Sequence, residues 1–235
     1  MEVNDSILEF NKEIEDICKH SKRSREDITL IAVSKGRSLN TILKLNNNNQ
    51  KNFGENKVQE ITKKYNELFD TQIKNNISWH FIGHLQTNKI NKLLPIIDTL
   101  HSLDSLHLLE SIESYYRNRK IHNNFNNLNR LKCFIQVNIA QEKQKHGISV
   151  NELDKLVSLC KKSKVIEIKG LMTIAPLSSN QENSREFFQK LKFLADQYEL
   201  KHLSMGMTND YKIAIEEGAT HLRIGRKIFD SDVGE

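Results

Sequence analysis

A lysine that directly follows a predicted buried strand is the first candidate for chemistry in this sequence. Residues 28–34 are all apolar or small hydroxylic residues, contain neither glycine nor proline, and lead straight into Lys35. A continuous apolar run of this kind is typical of a strand covered on both faces, as in a parallel α/β sheet. A lysine at such a strand end, held against an apolar wall, can lose its proton and attack a carbonyl. The alternative is a solvated lysine that simply opens a loop.

Two segments near the C-terminus carry groups that suit a phosphate. One predicted strand leads into Ser204 and Gly206, and the last one contains Arg223 and is followed by Gly225. Serine offers a hydroxyl, arginine a planar donor, and glycine lets backbone N–H groups approach an anion closely. Each residue alone could serve a turn or a structural ion pair. Together, and in this order, they predict a phosphate site.

The order of secondary-structure elements decides whether these residues meet. About eight predicted strands alternate with helices through short connections, and they begin near residues 28, 51, 77, 98, 131, 165, 200 and 220. This alternation predicts parallel strands, and eight repeats in 235 residues favour one (β/α)₈ barrel over an open doubly wound sheet. Residues 1–235 are therefore predicted to form a single domain. The phosphate site of such barrels commonly lies after strands seven and eight.

Closure of the barrel would make Lys35 a neighbour of this phosphate site, because the first strand pairs with the last. A ligand that carries both a carbonyl and a phosphate would bridge the two, and pyridoxal phosphate is such a molecule. Outside the barrel, an amphipathic N-terminal helix is expected to cover the barrel bottom. The asparagine run 46–49 and the polar segment 118–129 are expected to form surface loops.

Composition excludes several classes of protein. The chain is 37% hydrophobic and 28% charged and has no apolar run of membrane-spanning length, so we predict a globular protein with no membrane partner. The acidic N-terminus does not resemble a secretory signal, and three widely spaced cysteines suggest free thiols, so we predict a cytoplasmic location. The net charge is +5, but lysines and glutamates are interleaved, so we predict no binding to nucleic acid.

Other motifs give little. His80 and His84 lie four residues apart in a segment of strand composition with Gly83 between them. They would not share a helical face as zinc ligands do, so we expect packed or hydrogen-bonded histidines and no metal site. Met172, Met205 and Met207 are expected in pocket walls and core.

Eight segments of the chain, in order, resemble one known family, the YggS/PROSC-type pyridoxal phosphate homeostasis proteins. The resemblance covers nearly the whole chain and is carried by AVSK (32–35), FGENKVQE (53–60), WHFIGHLQTNK (79–89), HSLDS (101–105), QVNIAQEKQKHGI (136–148), KGLMTIAP (169–176), LSMGMTNDYKIAI (203–215) and LRIGRKIF (222–229). It implies one barrel of the alanine racemase N-terminal type. It also implies a carrier and regulator of vitamin B6, without catalytic turnover, whose partners are pyridoxal phosphate and the apoenzymes that use it.

The resemblance also implies roles for individual residues. Pyridoxal phosphate would be bound as a Schiff base on Lys35, with Arg223 facing the pyridine nitrogen. Its phosphate would be contacted by Ser204 and by the backbone of Gly225 and Arg226. Two further residues match positions near the cofactor, Asn56 and Met207.

The sequence departs from the family pattern at two places. Gly36 stands where a threonine is usual, and Arg226 and Lys227 replace a common threonine–alanine pair. Arg226 has no hydroxyl to offer a phosphate, although its backbone N–H remains. Its charge could compensate for the lost hydroxyl or point to solvent.

An enzyme is the main alternative to a carrier. Arginine stays protonated and cannot accept a proton from the ring nitrogen, which leaves the cofactor a weaker electron sink. The sequence ends at Glu235, which leaves no length for the second domain that a two-base racemase of this type carries. We therefore predict a monomeric protein that is not an enzyme, with a one-base, racemase-like enzyme of amino acids as the alternative.

Overall fold

A closed parallel barrel organises the computed structural model, which describes residues 3–68, 72–122, 130–142, 146–176, 178 and 180–230. Its eight strands follow one another around the barrel in chain order, and β1 pairs with β8 to close it, with Ile31 opposite Arg223. The strands are β1 (Thr29–Val33), β2 (Asn52–Glu55), β3 (Ser78–Phe81), β4 (Thr99–Leu103), β5 (Leu131–Gln136), β6 (Ile166–Met172), β7 (His202–Ser204) and β8 (His221–Ile224). The predicted barrel is confirmed, and the open sheet is wrong.

Helices cover the outside of the barrel. They are α1 (Val3–His20), α2 (Leu39–Asn47), α3 (Val58–Glu67), α4 (Ile90–Leu93), α5 (Leu106–His122), α6 (Val150–Lys162), α7 (Arg185–Gln197), α8 (Tyr211–Glu216) and α9 (Arg226–Phe229). Short 3₁₀ helices lie at Arg25–Asp27, Gln72–Asn76, Thr87–Lys89 and Gln181–Ser184. Among the residues that the structure describes, no helix is both long enough and apolar enough to cross a bilayer.

The N-terminal helix lies in the outer layer of helices and not under the barrel, so that prediction is wrong. Helix α1 packs against α2, α8 and α9. Its buried face includes Phe10 and Ile14, and the Phe10 ring meets the Tyr211 ring edge-on at 5.1 Å between centroids. The reason is the length of α9, which has four residues and leaves part of the outer layer open. An amphipathic helix from the start of the chain fills that place.

Two predicted loops are partly helical. Helix α2 extends through the first two asparagines of the run. The first of them, Asn46, is buried. Its side-chain amide donates to the Gln50 carbonyl at 3.0 Å and accepts from the Asn76 amide at 3.2 Å. Helix α5 continues to residue 122, supported by Arg119 over the Tyr115 ring one turn earlier. Residues 123–129 of the second predicted loop lie outside the described residues.

Polar side chains fill much of the barrel interior. His80, His101, Ser204 and Arg223 are all buried, although they lie on strands whose outward residues form the apolar core. Two of the three methionines expected in pocket walls and core, Met172 and Met205, are fully buried. The interior is therefore a hydrogen-bonded assembly, and it ends at the carboxyl edge of the strands, where the candidate site begins.

Candidate functional site

A cavity of about 430 Å³ opens at the carboxyl ends of the strands. Its volume is in the usual range of small-molecule sites. Predicted site residues lie along it, namely Lys35, Asn56, Met207, Arg223, Gly225 and Arg226. The seventh predicted residue, Ser204, does not line it.

Lys35 is the one lysine among the described residues that line this cavity. It lies two residues after the end of β1, beyond Ser34, and is exposed. The next residue, Gly36, has a φ of +72°, in the left-handed region that glycine adopts without strain. A side chain at this position would also meet no atom within 4 Å, so the backbone angle and not the available space favours glycine over the family's threonine.

The backbone on both sides of Lys35 is fixed by a second lysine. Buried Lys64, on α3, places its ammonium 2.8 Å from the Ser34 carbonyl oxygen, 2.7 Å from Glu55 Oε1 and 2.8 Å from Glu60 Oε1. These three acceptors match the three N–H donors of an ammonium group. The Gly36 N–H donates to the same Glu60 oxygen.

Glu55 anchors this cluster at the end of β2. Its carboxylate is fully buried and also accepts from the Ser34 hydroxyl at 2.7 Å. Burial raises the pKa of Glu55, while the bonds from Lys64 and Ser34 act in the opposite direction. Sequence reasoning missed this cluster. Its only local signal was the spacing of Glu60 and Lys64, which lie one helical turn apart.

Arg223 lies at the floor of the cavity and is oriented by two hydrogen bonds. One guanidinium nitrogen donates to Ser204 Oγ at 2.7 Å and the other to the Thr173 carbonyl at 2.9 Å. Burial lowers the pKa of Arg223 to about 10, and the charge of Asp210 opposes the shift. The group therefore stays cationic at neutral pH.

A directional chain of hydrogen bonds continues from Arg223 into the barrel. His80 Nε2 lies 3.0 Å from the acceptor Asn52 Oδ1, so this nitrogen carries the proton and His80 Nδ1 accepts from His101 Nε2 at 2.9 Å. His101 Nδ1 then accepts the Ser204 hydroxyl at 2.8 Å. Burial lowers the pKa of His80 to about 4 and that of His101 well below its usual value. Both rings are therefore neutral, and the expectation of a hydrogen-bonded His80 is confirmed.

The hydroxyl predicted to contact a phosphate is already engaged. Ser204 is fully buried between His101 and Arg223, so its expected direct contact with a ligand does not fit this geometry. The loop after β7 instead brings Thr208 to the cavity wall. Thr208 was missed, although a hydroxyl residue four positions beyond Ser204 in the same loop was the available signal.

The two glycines predicted to approach an anion behave differently. Gly225 lines the cavity and precedes helix α9. Gly206 is buried with a φ of +93°, and a side-chain carbon there would lie 2.6 Å from Ala214 Cβ. Packing and backbone conformation thus require glycine at 206.

The other three predicted residues on the cavity wall are Met207, Arg226 and Asn56. The Met207 N–H donates to Asp210 Oδ1 at 2.7 Å, which shapes the loop after β7. The Arg226 side chain is exposed and reaches Asn209 Oδ1 at 3.2 Å. Asn56 Oδ1 is buried with no hydrogen-bond partner among the described residues. An acceptor left in this way at a cavity fits a polar ligand that can donate to it.

Comparisons with known proteins agree with this arrangement. The family model for the alanine racemase N-terminal domain matches residues 12–230. A pyridoxal phosphate homeostasis protein of Aquifex aeolicus is 36% identical over 92% of both chains. The human protein of that name is 34% identical over 85% of this chain and 75% of its own.

Solved structures extend the comparison. PipY of Synechococcus elongatus, solved with PLP bound, has a TM-score of 0.74 and 30% identity over 92% of this chain and 99% of its own. Alanine racemase of Corynebacterium glutamicum has a TM-score of 0.65 at 12% identity, over 96% of this chain and 60% of its own, which shows a shared fold alone. The chain therefore belongs to the pyridoxal phosphate homeostasis proteins, a family built on the alanine racemase N-terminal domain.

Proposed function

We propose that this protein binds pyridoxal 5′-phosphate through a Schiff base on Lys35. The observation that carries the proposal is the position of Lys35, exposed on a cavity that is also lined by Arg223 and by the loops after β7 and β8. The names of the homologues and the PLP-bound form of PipY support the same cofactor.

The surrounding residues would each hold a different part of the cofactor. Arg223, fixed by Ser204 and Thr173, would face the pyridine nitrogen. Thr208 and the backbone of Gly225 and Arg226 would hold the phosphate, with Ser204 acting through Arg223. Further along the wall, Met207 would pack against the cofactor and Asn56 would accept a hydrogen bond from it.

A carrier role fits these residues better than catalysis. When bound, pyridoxal phosphate supplies an electron sink whose strength depends on a protonated ring nitrogen. The guanidinium of Arg223 stays charged and has no lone pair with which to accept that proton. We infer a protein that stores the cofactor and passes it to apoenzymes in vitamin B6 homeostasis. The cytoplasmic location and the monomeric state are parts of this proposal.

The absorbance spectrum tests the proposal. The purified protein mixed with pyridoxal phosphate is expected to show a visible imine band that borohydride removes. Lys35→Ala should lose this band completely, whereas Lys44→Ala, on the exposed side of α2, should keep it. An unchanged spectrum in Lys35→Ala would refute the attachment site.

A one-base enzyme of amino acids is the second candidate, favoured by the fold shared with alanine racemase. It predicts that Lys35 catalyses exchange of the Cα proton with solvent deuterium. We expect no sustained exchange over a panel of amino acids. Turnover that disappears in Lys35→Ala would establish the enzyme and contradict the carrier.

A further inference from the structure

Three side chains with metal-binding atoms meet on the rim of the barrel. His84 follows β3, Asp104 follows β4, and His146 lies in the segment between β5 and α6. One ligand atom from each lies within 4.8 Å of the other two. His84 Nδ1 is 2.9 Å from Asp104 Oδ2, and the two imidazole rings are stacked with centroids 4.1 Å apart.

The distances fit a coordination shell after a small adjustment. Two donors of a tetrahedral zinc site, each about 2.05 Å from the ion, lie about 3.3 Å apart. The His84 and Asp104 ligand atoms are 2.9 Å apart, so they need to separate by only about 0.4 Å to admit the ion. His146 must rotate to bring a nitrogen closer, and both histidines are exposed, so neighbouring side chains leave room for that rotation.

Charge and burial also favour a cation. The Asp104 side chain is 8% exposed, and its ion-pair partner among the described residues is the imidazole of His84. A partly desolvated carboxylate beside two imidazoles attracts a divalent ion and supplies one of its ligands. Two imidazoles and one carboxylate suit zinc and its first-row neighbours and leave positions for water.

We propose that His84, Asp104 and His146 form a divalent transition-metal site of the zinc class. In the ring of strands, β3–β5 lie opposite β7, β8 and β1, so the metal would occupy the far side of the cavity mouth from Lys35. Two of its ligands, His84 and His146, line the cavity. A bound ion would join three separate loops and brace that wall. This inference uses none of the residues that the cofactor proposal needs.

Calorimetric titration of the untagged, metal-free chain with Zn²⁺ tests the site. We expect one bound equivalent, and His84→Ala, His146→Ala and Asp104→Asn should each lower the affinity at least about tenfold. His20→Ala is the matched control, because His20 is an exposed histidine at the far end of α1. Lys35→Ala should bind Zn²⁺ as the parent does, which separates this test from the cofactor.

Two results would overturn the site. One is no zinc binding by the parent chain, and the other is equal affinity in His20→Ala and in the rim variants. If a variant of His84, Asp104 or His146 fails to fold, chemical modification of the histidines in the parent chain tests the site instead. Zn²⁺ should then shield His84 and His146, but not His20, from diethylpyrocarbonate, and equal modification of all three would overturn the site.

Discussion

The mouth of the barrel and the buried polar groups around it place ionisable groups in opposite ways. At the mouth, Lys35 is exposed and lines an open cavity. On the outer helix α3, Lys64 is buried with three oxygen acceptors within 2.8 Å. An ammonium whose three N–H donors all have buried acceptors is held in place and cannot reach a ligand. Lysine therefore positions its neighbours at residue 64, whereas at residue 35 it is accessible from the cavity.

The hydrogen-bonded chain from Arg223 to Asn52, inside the barrel, also holds buried polar groups in place. Each bond along it joins one donor to one acceptor, and its outer end fixes the guanidinium at the cavity floor. Buried polar groups of this kind are costly when a partner is lost. Substitutions of the buried polar groups are therefore expected to lower the free energy of unfolding, whereas substitutions at the mouth are expected to weaken ligand binding.

Removal of the buried lysine should have the largest effect. Lys64→Met leaves the buried Glu55 carboxyl without its cationic partner, and is expected to cost about 3–5 kcal/mol in the free energy of unfolding, measured with urea. Lys63→Met is the matched control, since the Lys63 side chain is 81% exposed, and should cost less than about 0.5 kcal/mol.

The double variant separates pairing from packing. Glu55→Gln combined with Lys64→Met should recover most of the loss, because the uncompensated buried charge is gone. If Lys64→Met unfolds at the same urea concentration as Lys63→Met, the buried cluster does not hold the strand end.

A fall in pH should have the second-largest effect, which is a loss of stability of the barrel interior. The folded-state pKa of His80 is about 4, below the ordinary value near 6.5, so the fold favours the neutral ring. Its contribution to stability is complete above about pH 6.5 and is lost as pH falls toward 4, with a limit on the order of 3 kcal/mol. Urea unfolding between pH 7 and 4.5 measures this loss.

The matched variants for the acid effect are His80→Gln and His20→Ala. His80→Gln should show a weaker dependence on pH than the parent chain, while His20→Ala, with its exposed ring, should keep the parent's dependence. Identical pH profiles for His80→Gln and the parent would contradict a neutral, buried His80.

The two hydroxyls near the proposed phosphate site, those of Thr208 and Ser204, should give the smallest and most specific effects. Thr208→Val is expected to weaken binding of pyridoxal phosphate by about 1–3 kcal/mol, or roughly 5- to 150-fold, while leaving binding of pyridoxal unchanged. Ser204→Ala should weaken both ligands equally, because it acts through Arg223. Equilibrium titrations with the two ligands measure the difference, and a phosphate-specific loss in Ser204→Ala would reverse the assignment.

The sequence predicted the fold well because local patterns determine it. Apolar runs such as residues 28–34 mark the strands, and the β/α alternation implies their parallel order. The position of α1 could not be read in this way, because it depends on the short length of α9 at the other end of the chain. Asn46 was misplaced for a similar reason, since its partner Asn76 is distant in sequence.

The site was predictable where a residue follows a strand directly. Lys35 and Arg223 were placed on the cavity from their positions at strand ends and from the family resemblance. The hydrogen bond of Ser204 to His101 could not be predicted, because His101 lies on another strand and only the closed barrel brings the two together. The Lys64 cluster escaped prediction because it joins β1, β2 and α3.

Mapping of the modified lysine tests the central claim most directly. The protein is loaded with pyridoxal phosphate, reduced with borohydride and digested, and the peptides are identified by mass spectrometry. The account predicts one pyridoxyl group per chain, located on Lys35, with Lys64 unmodified. Modification of Lys64, or label spread over the surface lysines with Lys35 unmodified, would contradict it.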